Sequence, residues 1–220
     1  MSLTLYYHPL ASFCHKVLIA LYENNTEFNR RIIDLGNNKD KAELLAVWPI
    51  GKFPVIRDHA RKRDVAESTI IIEYLDRFFG GERPLIPLGW EDALQVRIWD
   101  RFIDNYLQVP MQQIVSDHMR GAKGDISKER AMLETAYGMI DKQLTCNAWV
   151  AGQEFSMADC AAAPALFYTS TLQPLPQTLE HLRSYFDRLM ARPSVQRVIH
   201  EAKPYFPFYP FAHAIPNRFR

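Results

Sequence analysis

The sequence predicts a chain in two parts, α/β first and all-helical after. Three observations carry that reading. Short β-branched and aromatic runs alternate with amphipathic stretches over roughly the first third of the chain. The segment Gly80-Gly81-Glu82-Arg83-Pro84-Leu85-Ile86-Pro87, with two glycines and two prolines, then punctuates it. Everything beyond has helical periodicity. The boundaries expected are a first domain over 1–80, a linker over 81–89 and a helical domain over 90–220.

Leu3 to Tyr7 reads as a short strand ended by His8-Pro9. A helix follows, because Cys14, Val17, Leu18 and Leu21 fall at i, i+3, i+4 and i+7, one apolar stripe. Glu27 to Ile33 reads as a second strand and Lys39 to Val47 as a short helix. Pro54 opens the β-branched strand Val55-Ile56, one of the few strand positions proline tolerates. A turn over Arg61 to Asp64, a brief strand and a helix from Ser68 to Phe79 complete the first part. The order βαβ then αββα is thioredoxin-like.

In the second part, Trp90 to about His118 forms a long amphipathic helix that Pro110 is expected to kink. Lys128 to Leu144 forms another, capped by Asp125 or Ser127. Phe155-Ser156-Met157-Ala158-Asp159 is a capping box with an acid at N3, and Phe155 is placed to staple onto Cys160. Leu179 to Met190 and Ser194 to Ala202 are shorter helices. The tail from Lys203 to Arg220 holds six Phe and Tyr residues among four prolines. A regular helix is excluded there, so the tail is expected to lie extended against the body, as a wall of a substrate pocket or as a strap.

Composition narrows the function. The 220 residues carry a net charge of +1, which provides no field for nucleic acid or an acidic membrane. The basic stretch Arg57 to Arg63 reads as a solvated hairpin. The sequence has neither a signal-peptide pattern nor an apolar run of transmembrane length. Three widely spaced cysteines, Cys14, Cys146 and Cys160, do not make a disulfide framework, and the seven histidines have no metal-ligand spacing. A cytoplasmic protein without a metal, a membrane or a nucleic-acid partner is expected.

Two segments carry the chemistry: Gly51-Lys52-Phe53-Pro54-Val55-Ile56 and Glu67-Ser68-Thr69-Ile70-Ile71-Ile72-Glu73-Tyr74-Leu75. In the second, an acid and a hydroxyl stand where an apolar helix begins, at its positive end. Together with Leu3 to Cys14, this arrangement resembles the glutathione-binding domain of the cytosolic glutathione transferases, and the resemblance spans nearly the whole chain. The Ser156–Asp159 capping box matches the same family independently.

The resemblance implies a glutathione transferase fold, glutathione as co-substrate, a homodimer, and addition of the glutathione thiolate to a small electrophile. It places the γ-glutamyl head on Glu67 and Ser68. It makes the bond before Pro54 cis, with the Phe53 backbone pairing with the cysteinyl part, and sets Lys52 to meet the glycyl carboxylate. The dimer is supported by Arg97 and Asp100 on the long helix and by the segment Arg61 to Arg63.

The thiol activator is expected at the turn after the first strand. Many family members have Ser or Cys five residues before an Arg/Lys-Val pair; aligned on Lys16-Val17, that slot falls on Ala11. Three candidates remain. Ser12 lies one position on, at the expected helix N-cap; Cys14 matches the second cysteine of glutaredoxin-like motifs but belongs to the core stripe; Tyr7 matches the tyrosine of the tyrosine-type classes. His8 and His15 read as surface residues. For the acceptor, the long helix offers Arg97, Trp99, Phe102 and Tyr106, of which Phe102 and Tyr106 are the chosen pair. Two other readings stand beside conjugation: thiol–disulfide exchange through Cys14, and a glutathione-binding regulatory protein without catalysis.

Overall fold

The computed structural model describes residues 2–220 and divides into two compact units, one up to Leu85 and one from Ile86 to Arg220. The first contains β1 (Leu3–Tyr7), α1 (Ser12–Glu23), β2 (Asn29–Ile32), α2 (Asn38–Val47), β3 (Val55–Asp58), β4 (Arg63–Ala66) and α3 (Ser68–Phe79). The strands form one sheet in the order β2-β1-β3-β4, with β1 parallel to β2 and antiparallel to β3, and β3 antiparallel to β4. The element order and mixed sheet are those of a thioredoxin-like domain.

Strand periodicity divides the core. Tyr6 and Val55 join Ile33, Leu44 and Val47 in a buried cluster. Leu3 and Leu5 point to the opposite side of β1 and are fully buried. α1 is buried over nine residues from Ser12 to Leu21 and packs against α3. The outer strand β2 is mostly exposed, and Arg31 on it forks between Asp40 and Glu43 of α2. At the far end of β3, Asp58 accepts from the Arg61 N–H (2.9 Å), the Arg61 guanidinium (3.0 Å) and the Tyr74 hydroxyl (2.8 Å), tying the hairpin to α3.

The second unit comprises α4 (Trp90–Ile103), a π-helical turn (Asp104–Gln108), α5 (Val109–Met119), α6 (Ser127–Gln143), α7 (Met157–Leu172), α8 (Glu180–Met190) and α9 (Pro193–Ala202). α7 is its axis, buried at every residue except Ser170 and in contact with α4, α5 and α8. Its run Cys160-Ala161-Ala162-Ala163 lets neighbours approach closely. The capping box is formed: the Asp159 carboxylate accepts from the Ser156 N–H (2.8 Å), the Val150 N–H (3.1 Å) and the Tyr185 hydroxyl (2.5 Å).

Several expectations are corrected. The long helix expected from Trp90 to about His118 runs without a break through α4, the π-helical turn and α5, and the irregularity expected at Pro110 is that π-helical turn, which ends two residues before it. The N-cap of α6 is Ile126, with the Asp125 carboxylate accepting the Ser127 N–H at 2.9 Å just ahead of it. Besides the staple position that the capping box gives it, Phe155 packs edge-on to Trp149, and the Arg192 guanidinium lies 3.8 Å from its ring centroid. Asp100 is fully buried, so it offers nothing to a second subunit, and Arg61 is engaged with Asp58 and the Phe78 ring.

The tail is not extended either. It winds through 3-10 turns at Lys203–Phe208, Ala212–Ala214 and Asn217–Phe219, which accommodate its prolines where a regular α-helix would not. Phe206 stacks on Phe167 of α7 and Phe219 meets it edge-on, Tyr209 meets Tyr168 and hydrogen-bonds Thr171 (2.8 Å), and Phe219 also meets Phe186 of α8. The tail straps the helical unit.

Candidate functional site

Strand register gathers the candidate residues at one end of the sheet. β1 pairs Tyr6 with Val55, and β3 pairs Val55 with Ala66. The end of β1, the approach to β3 and the exit from β4 are therefore neighbours, and β2 ends beside Tyr7. Tyr7-His8, Phe53-Pro54 and Glu67-Ser68 follow from that register. Both α1 and α3 begin here, so two helix N-termini converge on one edge, an arrangement suited to negative charge.

At the β1–α1 turn, Ala11 has an extended backbone, and its carbonyl accepts from the N–H groups of Cys14 (2.9 Å) and His15 (3.0 Å). Ala11 is thus the N-cap and Ser12 the first helical residue, one position inside the expected cap. Ser12 is buried with its hydroxyl in the first turn, and Tyr7 is buried on β1. Cys14 has no exposed surface; burial pushes its thiol up to about 12, against the pull of a hydrogen bond with the His8 backbone. That is a core thiol, held in its protonated form.

Neither nearby histidine lies freely on the surface. His15 is buried, its Nε2 2.5 Å from the Pro9 carbonyl. His8 is half-buried, and its ring stacks on Phe53 with centroids 6.0 Å apart and planes 19° off parallel. Its Nδ1 accepts the Leu10 N–H at 3.2 Å. Burial lowers the His8 pKa, partly countered by the Asp34 carboxylate. Behind the turn, Lys16 is fully buried and donates to Thr69 Oγ1 at 2.9 Å, tying α1 to the first turn of α3. Lys16 lies outside the Cys14–Leu21 stripe, so local periodicity carries no signal that it reaches across.

The Phe53–Pro54 bond is cis. The ladder of β3 begins at Val55, so the Phe53 N–H and C=O lie ahead of it. Lys52 is exposed beside them. Glu67 caps α3 in a left-handed conformation (φ 67°), rare for a side-chain-bearing residue, and its own side chain makes no cap hydrogen bond. The carboxylate therefore projects at the helix start without consuming the helix donors. Ser68 follows, buried as the first helical residue.

In the helical unit, Phe102 and Tyr106 pack with tilted rings 5.1 Å apart and line an apolar pocket of about 260 Å³ with Met132, Thr135, Ala136 and Met139 of α6. Trp99 touches Phe102 edge-on outside that lining, and Arg97 is not part of it. Among the described residues no group of three or more His, Cys, Asp or Glu could hold a metal, and no helix is long and apolar enough to cross a membrane.

Residues 1–77 match the family described as glutathione S-transferase, N-terminal domain, and residues 102–193 match its C-terminal domain. Glutathione S-transferase F7 of Arabidopsis thaliana is 25% identical over 203 residues, spanning 87% of this chain and 96% of its own. A delta-class glutathione transferase of Nilaparvata lugens superposes with a TM-score of 0.84 at 22% identity, covering 97% of this chain and 100% of its own. A glutathione S-transferase from Methylobacillus flagellatus, solved with GSH bound, superposes with a TM-score of 0.78 at 22% identity, covering 90% and 98%.

Proposed function

Because the chain belongs to the glutathione S-transferase family, we propose that it binds glutathione at the convergent end of its sheet and adds the thiol to a small electrophile. The observation that carries this reading is the start of α3. There Glu67 leaves the helix donors uncapped while holding a carboxylate beside them. A γ-glutamyl head has the complementary pair: its carboxylate meets Ser68 and the helix N–H groups, and its ammonium meets Glu67. Phe53, ahead of the ladder and followed by Pro54, offers its backbone to the cysteinyl residue, and Lys52 offers an ammonium to the glycyl carboxylate.

The sulfur then falls toward the first turn of α1. Ser12 supplies a hydroxyl and an N–H there, in the part of a helix where N–H groups precede the first intrahelical bond. Tyr7 is the second donor to consider. Burial of Cys14 counts against a thiol–disulfide exchange mechanism. The acceptor is assigned to Phe102 and Tyr106, whose apolar pocket suits a small uncharged molecule. The same unit exposes Ile98 and Val109, apolar surface that a homodimer would cover. A cytoplasmic location completes the reading.

The test is one preparation carried through glutathione calorimetry, conjugation of an activated aryl halide, disulfide reduction and sedimentation. Binding with conjugation and without reduction is expected. Binding alone favours the regulatory reading, and no binding removes the site.

A further inference from the structure

We infer that Lys16 is a positioning residue. Its bond to Thr69 fixes the start of α1, where the thiol of bound glutathione is received, against the start of α3, where the γ-glutamyl head is held. The inference rests on the glutathione site proposed above and adds the side chain that sets the spacing of its two halves.

Three observations lead there. The first is the contact itself. Lys16 Nζ donates to Thr69 Oγ1 at 2.9 Å, across 53 positions of the chain. Lys16 has no exposed surface and Thr69 is buried. An ammonium has three N–H donors and this link uses one of them, so it stands alongside the other interactions of both side chains.

The second observation is what each end carries. Ser12 and Lys16 stand at i and i+4 on α1, so they lie on one face of the helix, with Ser12 in its first turn. Ser12 is buried as well. On α3, Thr69 directly follows Ser68, the residue assigned to the γ-glutamyl carboxylate. The two helices pack against each other. One hydrogen bond therefore joins the Ser12 face of α1 to the Ser68 turn of α3.

The third observation is the residue type. Taking an ammonium out of water is costly, and an apolar side chain of similar length would fill this place without that cost. The buried stripe of Cys14, Val17, Leu18 and Leu21 already supplies α1 with apolar contact. Core packing therefore does not favour a lysine here. A directional link does, because a hydrogen bond fixes distance and angle where apolar contact tolerates sliding.

The consequence falls on the thiol. Glutathione held at its γ-glutamyl end by α3 presents its sulfur to α1. The spacing of the two helix starts then decides whether the Ser12 hydroxyl meets the sulfur within hydrogen-bond reach. Hydrogen bonds weaken steeply with misalignment, and a small misplacement of a positioned group removes much of its effect. Lys16 touches no reacting atom and exchanges no proton.

The test is a double-mutant cycle of Lys16→Met, Thr69→Val and the two together, with Thr69→Ser as the variant that keeps the acceptor. Thiolate absorbance of bound glutathione is titrated against pH. Calorimetry measures the affinity for S-methylglutathione, which has no thiol to ionise. In wild type the bound thiol is expected to titrate below free glutathione. Each single variant lowers the thiolate fraction at pH 7 about three- to tenfold, part of the effect of a hydrogen bond to a charged group. The double variant is no worse than the poorer single one, because both substitutions remove the same link. Thr69→Ser stays within about twofold of wild type, and S-methylglutathione affinity within about threefold throughout. A thiol pKa unmoved in the single variants, losses that multiply in the double variant, an equal loss of S-methylglutathione affinity, or Thr69→Ser as impaired as Thr69→Val overturns the proposal. If the variants do not fold, a crystal structure of the wild-type glutathione complex decides it. The Lys16–Thr69 bond kept with the sulfur at Ser12 supports the link, and a sulfur away from Ser12 overturns it. Wild type that binds no glutathione defeats the site reading itself, an outcome distinct from binding with an unmoved thiol.

Discussion

Replacing Glu67 by glycine should move binding and stability in different directions. Glu67 holds φ at 67°, and such a conformation costs a side-chain-bearing residue about 1 kcal/mol or more. Glycine adopts it without that cost, although its greater freedom in the unfolded chain returns part of the gain. The Glu67 side chain makes no cap hydrogen bond, so the helix loses no partner when it is removed. The net expectation is a fold between unchanged and about 1 kcal/mol more stable. Binding should fall, because the carboxylate is assigned to the γ-glutamyl ammonium. A charge-assisted hydrogen bond is worth about 1.5 to 3 kcal/mol, which is about 10- to 150-fold in Kd. Urea unfolding and glutathione calorimetry on the same sample read both effects. A variant that loses more than 1 kcal/mol of stability while its glutathione Kd stays put would make Glu67 a structural cap and refute the reasoning.

Four further substitutions probe the architecture. Tyr74→Phe removes one of the donors to the buried Asp58 and should cost about 1.5 kcal/mol at neutral pH, the low end for a charged acceptor because both Arg61 donors remain. Burial opposes ionisation of Asp58, but the Arg61 N–H, the Tyr74 hydroxyl and the Arg61 guanidinium outweigh it and hold its pKa below the ordinary value. The contribution is therefore complete above about pH 4 and lost as pH falls through the depressed value, so melts in acid should show the gap between wild type and variant closing. Cys14→Ala should cost about 1 kcal/mol of core packing with unchanged conjugation kinetics, whereas Ser12→Ala should lower the thiolate fraction of bound glutathione; the reverse pattern would move the chemistry to the cysteine. Phe219→Ala should lower stability by about 3 to 5 kcal/mol in denaturant melts with glutathione affinity unchanged, since its ring packs on Phe167 and Phe186; a shift confined to acceptor KM would make the tail a wall of the acceptor site.

The amino-acid sequence by itself determined which segments become helix and strand, though it misplaced the caps of α1 and α6 by a residue. The Cys14–Leu21 stripe, the strand opened by Pro54, the helix behind Glu67-Ser68 and the Ser156–Asp159 box depend on neighbours a few residues apart, and local periodicity and capping record such neighbours directly. Lys52 and Phe53 entered only through the family resemblance, while local signals also singled out Pro54, Glu67 and Ser68. What they do not record is which side chains meet across the fold. Only the tertiary structure decided that Lys16 crosses to Thr69, that His8 lies on Phe53, and that Asp100 and His15 are buried. The tail shows the same division. Its aromatics required burial on composition alone, but the choice of 3-10 turns over α7 and α8 came from the rings of Phe167, Tyr168 and Phe186, distant in sequence. Burial and pairing depend on the path of the whole chain, and one-dimensional spacing carries that information only where the contact is local.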